Sequence, residues 1–141
     1  MKNNKIKILI CDDSQSMRSI VHGFLSERAQ DFELVQASNG LEAEEIIQEA
    51  VITGEEIDVI ILDWMMPKVS GKELLERIRS IPAFENMPKI VMLTAETYPE
   101  QVEACMKFGV SAYLTKPFTQ DDLLKATGKA LDDLEELKHA V

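Results

Sequence analysis

A short apolar run that ends on a carboxylate constrains the fold of this chain more than any other stretch. Val59-Ile60-Ile61-Leu62 is followed directly by Asp63 and, a few residues later, by Pro67. A run rich in Val and Ile, with no polar face, is typical of a strand covered on both sides in a parallel sheet. Open α/β sheets build their sites at the carboxyl ends of their strands. Asp63 is therefore predicted to lie at a functional edge.

Similar runs alternate with amphipathic helix patterns along the 141 residues. Helices, with apolar residues at i, i+3, i+4 and i+7, are predicted to begin near Gln15, Gly40, Gly71, Pro99 and Thr119. The other strands are predicted at 5–11, 32–37, 90–94 and 112–115. The alternation predicts an α/β fold, a doubly wound five-stranded parallel sheet of order 2-1-3-4-5 with five helices. Length and the lack of a linker predict a single domain, 1–141.

The same patterns assign side chains to the core or the surface. Cys105 and Met106 are predicted to face inward from the fourth helix, and Trp64 to be a partly exposed packing residue. Gly128, inside the last helix, is expected to cost about 1 kcal/mol relative to alanine.

Composition narrows the class of protein and its partners. The formal net charge is −10 and the pI is about 4.6, which disfavours binding to nucleic acid or to anionic membranes. The chain shows no signal peptide and no apolar stretch near the roughly 18 residues of a membrane span. Cys11 and Cys105 lack zinc or disulfide spacing, so both are predicted to be buried, reduced thiols. A cytoplasmic protein without nucleic-acid or membrane partners is expected.

Polar residues end four of the predicted strands at one edge of the sheet. Asp12 and Asp13 follow the first strand and Asp63 ends the third, and these strands are neighbours in the predicted order. Three carboxylates in one small space need a cation, or some must take up protons. Acids without His or Cys favour a hard cation, and Mg²⁺ is the commonest when phosphate is present. Lys116 and Thr94 would add a cation and a hydroxyl for a phosphate, and a carboxylate can itself be phosphorylated.

These residues occur in an order and at spacings that resemble a known family. Asp12-Asp13, Asp63 with Met66-Pro67 and Gly71, Thr94-Ala95 and Lys116-Pro117-Phe118 look like the receiver domain of two-component response regulators. The resemblance spans nearly the whole chain and is strongest to single-domain, CheY-like regulators. It implies a phosphorylation-dependent signalling switch rather than a conventional enzyme, with chemotaxis as the nearest analogy for the pathway.

The resemblance also implies roles for individual residues. Asp63 would accept a phosphoryl group from a histidine kinase, a phosphotransfer protein or a small phosphodonor. Asp13, Asp63 and the main-chain carbonyl of Met65 would bind Mg²⁺ directly, and Asp12 would hold it through water. Lys116 would pair with the phosphate.

The signal would leave the site through a switch pair. Thr94 would bond the phosphate and couple to inward rotation of Tyr113, remodelling the helix 4–strand 5–helix 5 face for a downstream target. Regulators often carry a polar residue at the Met65 position, where it touches the attacking water. The methionine therefore predicts a long-lived phosphorylated state.

Three alternatives stay open at this point. One is a Mg²⁺-dependent phosphatase of the haloacid-dehalogenase type, although its second acid would stand two residues after the nucleophile and a cap domain would be expected. Another is a flavodoxin-type domain, although the loop after the first strand is acidic. The third is a receiver detached from a longer protein; Met1 and the extended last helix favour an intact chain.

Overall fold

The computed structural model describes residues 5–95 and 99–139. Its strands are β1 (Ile6–Cys11), β2 (Phe32–Ala37), β3 (Val59–Asp63), β4 (Lys89–Thr94) and β5 (Ala112–Thr115). Its helices are α1 (Gln15–Leu25), α2 (Gly40–Thr53), α3 (Gly71–Arg79), α4 (Pro99–Lys107) and α5 (Gln120–His139). The strands form one parallel sheet of order β2-β1-β3-β4-β5, which confirms the predicted topology.

The sheet lies between two layers of helices, each with its own apolar core. One core joins the sheet to α1 and α5, through residues such as Val21 and Leu123; we call this side the α1/α5 face. The other joins it to α2, α3 and α4, through residues such as Ile47, Leu74 and Cys105; this is the α2–α4 face. All residues of β3 are buried, as expected for a central strand covered on both sides.

Polar caps fix the starts of four helices on the same edge of the sheet. Each cap oxygen accepts a main-chain N–H that the first helical turn would otherwise leave unpaired. The pairs are Ser14 with Met17, Asn39 with Glu42, Ser70 with Glu73, and Thr119 with Asp122. Because the caps follow strand ends, four helices begin around the edge where the acids lie.

Two side-chain predictions were wrong. Trp64 is buried, only 8% exposed, because its N–H still pairs with Leu93 O at 2.8 Å and the side chain continues the inward alternation of the strand. Met106 is 63% exposed, whereas Cys105 is buried. Consecutive helical residues point about 100° apart. When Cys105 lies on the buried face of α4, the Met106 side chain therefore points to solvent.

The predictions for the two cysteines agree with the structure. Cys11 and Cys105 are both buried and not disulfide-bonded. Across the described ranges, no helix combines the length and the apolar character that crossing a membrane requires.

Gly71 lets α3 begin against the end of β3. A Cβ at this position would lie 2.2 Å from the main-chain oxygen of Asp63 and 2.9 Å from Trp64 Cα. The N–H of Gly71 donates to Trp64 O at 2.9 Å. Because the obstructing atoms are backbone, a side chain here would displace the strand end that carries Asp63.

We predict that Gly71→Ala lowers the free energy of unfolding by about 1–3 kcal/mol, because overpacking forces the backbone to shift. The matched control is Gly128→Ala in α5, where a Cβ meets no atom within 4 Å. That variant should be more stable by about 0.5–1 kcal/mol. Urea unfolding measures both changes. A Gly71→Ala protein as stable as wild type would contradict the close approach.

Candidate functional site

The register of β1 and β3 brings two acids side by side. Cys11 pairs with Leu62, so the next residues along the two parallel strands, Asp12 and Asp63, lie side by side at the ends of β1 and β3. Side chains alternate between the faces of a strand. Ile10 and Ile61 belong to the core of the α1/α5 face, so Asp12 and Asp63, two residues on, project toward that same side.

The structure brings the three predicted acids into one cluster. Asp12, Asp13 and Asp63 each offer a carboxylate oxygen, and these oxygens lie within 4.8 Å of one another. Asp12 is 1% and Asp63 5% exposed, whereas Asp13 is exposed. A cluster of carboxylate oxygens with one side open to solvent suits a hard divalent cation such as Mg²⁺, which prefers oxygen ligands and keeps some of its water.

Lys116 bridges the two buried acids. Its Nζ lies 3.3 Å from Asp12 Oδ2 and 3.2 Å from Asp63 Oδ1. Leu114 belongs to the α1/α5 core, so Lys116, two residues further along, approaches from the same side as the acids. Burial disfavours the ammonium, but attraction to Asp63 and Asp12 outweighs it and raises the pKa of Lys116. The lysine is therefore charged at neutral pH.

The crowding changes the acidity of Asp63. Burial and the neighbouring Asp12 raise the pKa of the Asp63 carboxyl from 3.8 to about 6, although Lys116 and a hydrogen bond from the Met65 N–H act in the opposite direction. One lysine thus compensates only part of the negative charge, and either a proton on Asp63 or a further cation would offset the rest.

Asp12 is held by hydrogen bonds on three sides. Its Oδ1 accepts the Ser14 N–H at 2.9 Å, and its own N–H donates to Ala37 O at 3.2 Å. Its main-chain oxygen accepts from Arg18 Nη1 at 2.7 Å. Arg18 could not be predicted from the sequence, because one arginine on a helix surface carries no spacing signal.

Met65 and Cys11 border the acid cluster. The Met65 side chain is 69% exposed. Cys11 Sγ lies 3.5 Å from Met66 Sδ, and both side chains belong to the α2–α4 face, opposite the acids. Burial, with the charges of Asp12 and Asp63, raises the pKa of the Cys11 thiol to about 12. Cys11 belongs to the core of the α2–α4 face, so its thiol points away from the acid cluster.

Thr94 and Tyr113 lie on the other face of the sheet. Thr94 is 2% exposed, and its side chain hydrogen-bonds with the hydroxyl of the half-buried Tyr113. That hydroxyl also donates to Gln101 Oε1 on α4, at 3.3 Å, a contact that the sequence did not predict. The Lys116 N–H donates to Thr94 O at 2.7 Å. The main chain thus links Thr94 to the lysine of the acid cluster.

We predict that Asp63→Asn stabilises the Mg²⁺-free protein at neutral and alkaline pH. A carboxyl whose pKa is higher in the folded than in the unfolded chain destabilises the fold when it is ionised. The rise from 3.8 to about 6 corresponds to at most about 3 kcal/mol, fully present above pH about 6 and lost as the pH falls toward 3.8. Urea unfolding of both proteins in EDTA, from about pH 4 to about pH 8, measures the difference.

The control for this experiment is Asp132→Asn, which changes an exposed acid of α5. Its stability should follow that of wild type across the pH range. An Asp63→Asn protein less stable than wild type at about pH 8 would contradict the charge crowding described for the site.

Comparison with protein families and curated proteins identifies relatives along most of the chain. Residues 8–128 match the family model described as the response regulator receiver domain. A chemotaxis protein CheY homolog of Campylobacter jejuni is 36% identical over 114 residues, which cover 81% of this chain and 83% of the relative. Chemotaxis protein CheY-3 of Vibrio cholerae is 33% identical over 132 residues, covering 94% of this chain and 96% of the relative.

Solved structures show the same likeness in three dimensions. Vibrio cholerae chemotaxis protein CheY4 has a TM-score of 0.77 at 33% identity, covering 89% of this chain and 98% of the other. A response regulator receiver domain protein from Clostridium thermocellum has a TM-score of 0.79 at 31% identity, covering 94% and 98%. These matches decide against the phosphatase and flavodoxin alternatives. The chain belongs to the response regulator receiver family, whose CheY-like members are signalling proteins of phosphorylation-dependent two-component systems.

Proposed function

We propose that Asp63 is the residue of this receiver that accepts the phosphoryl group, and that a histidine kinase or a phosphotransfer protein donates it. One observation carries the proposal: the Asp63 carboxylate is buried at the end of the central strand, with the charged Lys116 Nζ 3.2 Å from its Oδ1. The receiver is then one domain over 1–141 that acts as a switch rather than as a conventional enzyme.

The reaction is a transfer between two side chains. An Asp63 oxygen attacks the phosphorus of a phosphohistidine, and the phosphorus–nitrogen bond breaks as the acyl phosphate forms. The leaving imidazole nitrogen keeps the electron pair and takes a proton from solvent. Lys116 stays protonated and donates to a phosphoryl oxygen. Such transfers depend mainly on positioning and charge neutralisation. In the proposal, this protein therefore catalyses part of its own modification, and it can also accept the phosphoryl group from small phosphodonors.

The acid cluster fits Mg²⁺ as the cofactor. The donors that converge are carboxylates, and the neighbouring Cys11 side chain packs in the α2–α4 core, on the other face of the sheet. In the proposal, Asp13, Asp63 and the main-chain carbonyl of Met65 would bind the ion directly, and Asp12 would bind it through water. A bound Mg²⁺ supplies positive charge that offsets the charge of the phosphoryl oxygens.

The proposed output passes through Thr94 and Tyr113 to a downstream target protein. The hydrogen bond between these side chains, and the one from Tyr113 to Gln101, support a connection from the strand end to α4. Bonding of Thr94 to the phosphate would break or realign this pair and alter the α4–β5–α5 face. The printed names of the relatives make chemotaxis the nearest comparison for the pathway.

We predict that incubation with acetyl phosphate and Mg²⁺ adds one phosphoryl group to wild type and none to Asp63→Asn, measured by intact mass. Asp132→Asn, which changes an exposed acid, is the matched control and should be modified like wild type. Amide spectra of the same phosphorylated sample should show shifts on α4, β5 and α5. A phosphorylated Asp63→Asn protein, or an unmodified wild type, would refute the assignment.

We predict that Met65→Asn shortens the life of the phosphorylated state. The exposed thioether of Met65 offers no strong hydrogen bond to an attacking water, whereas an amide does. The measurement is the loss of the phosphoryl group over time by intact mass, after the phosphodonor is removed. Met65→Leu should behave like wild type. A slower Met65→Asn protein would count against this account.

A further inference from the structure

We propose that Arg18 is a positioning residue that orients the Asp12–Asp13 peptide, and so places the Asp13 carboxylate for Mg²⁺. The inference rests on the proposed function, in which Asp13 is a metal ligand. It assigns a role in the site to a residue of α1, in addition to the three acids, Lys116 and the pair Thr94 and Tyr113.

Arg18 connects three elements at the edge of the sheet. Its Nη1 donates to the main-chain oxygen of Asp12 at 2.7 Å, and its Nε donates to Gln36 Oε1 at 3.2 Å. Asp12 directly follows β1, Arg18 lies in α1 and Gln36 lies in β2. The half-buried guanidinium thus ties the loop that carries the acids to the neighbouring strand.

Asp13 depends on its backbone more than the other acids do. Asp12 and Asp63 are buried, and packing restricts their side chains, whereas Asp13 is exposed. The carbonyl of Asp12 and the N–H of Asp13 belong to one planar peptide group. A hydrogen bond that fixes the carbonyl therefore fixes the plane from which the Asp13 side chain departs.

The contact requires the shape of arginine as well as its charge. A guanidinium presents its N–H groups in a rigid fork, so Nε and Nη1 can serve two acceptors at once. A lysine carries the same charge but is a single point on a flexible stem. Arg18→Lys keeps the positive charge but loses the fork. It therefore tests whether the orientation of the Asp12–Asp13 peptide matters, or only the attraction between a cation and the acids.

The test is a Mg²⁺ titration of ¹⁵N-labelled protein, in which the amide signals of the acid cluster report binding. Arg18→Met and Arg18→Lys should both raise the Kd for Mg²⁺ by about tenfold, the usual cost of losing a group that orients a ligand. Gln36→Leu, which removes the exposed acceptor of Nε, should weaken Mg²⁺ binding less and in the same direction.

The matched control is Arg77, an exposed arginine of α3 whose Nη1 lies 3.5 Å from Glu44. Arg77→Met should leave the Kd for Mg²⁺ unchanged. In Mg²⁺-free protein, Arg18→Met should also shift the Asp13 amide signal, and Arg77→Met should not. This second readout does not depend on metal binding.

The outcomes separate the inference from the proposed function. Wild-type affinity in Arg18→Met, or an unmoved Asp13 amide signal, would overturn the role of Arg18. Full recovery in Arg18→Lys would show that charge alone matters and would also overturn it. Wild-type protein without any response to Mg²⁺ would refute the metal site of the proposed function, and the Asp13 amide signal would then decide the orienting role.

Discussion

Two buried carboxylates facing one lysine are the constraint on which this site depends. Asp12 and Asp63 lie within reach of the same Lys116 Nζ, and the exposed Asp13 adds a third negative charge. A phosphoryl group on Asp63 would add further negative charge. Lys116 alone would then offset a smaller share of the negative charge than it does in the unmodified site. Burial, together with this excess of negative charge, raises the pKa of Asp63, and a bound cation would offset the charge both before and after the proposed transfer.

The alternation of side chains along the strands separates the chemistry from the proposed switch. Asp12, Asp63 and Lys116 lie toward the α1/α5 face, whereas Tyr113 packs against the α2–α4 core. The hydrogen bond from the Lys116 N–H to Thr94 O, 2.7 Å long, joins the two sides at the ends of β4 and β5. In the proposed switch, a change at the phosphate therefore needs to travel only across the thickness of the sheet edge to reach α4.

Much of the fold and the acid cluster could be predicted because both follow from periodic patterns. Apolar runs alternating with helical stripes imply a parallel sheet, and acids at the ends of adjacent strands must then meet. The burial of Trp64 was missed because pairing with β4 continues one residue past the end of β3. The contacts of Arg18 and Gln101 were missed for a different reason: long polar side chains on helices reach their partners through tertiary geometry, which leaves no period in the sequence.

The position of the site explains how the fold tolerates it. An ionised Asp63 opposes folding, since its pKa is higher than in the unfolded chain. This cost falls at the end of β3, whose residues are all buried and which pairs with strands on both sides. Burying aliphatic side chains such as Ile60, Ile61 and Leu62 contributes about 1.5–3 kcal/mol each, enough to offset the cost of ionising the buried Asp63 carboxyl. A central strand is thus the element best able to hold a reactive acid without local unfolding.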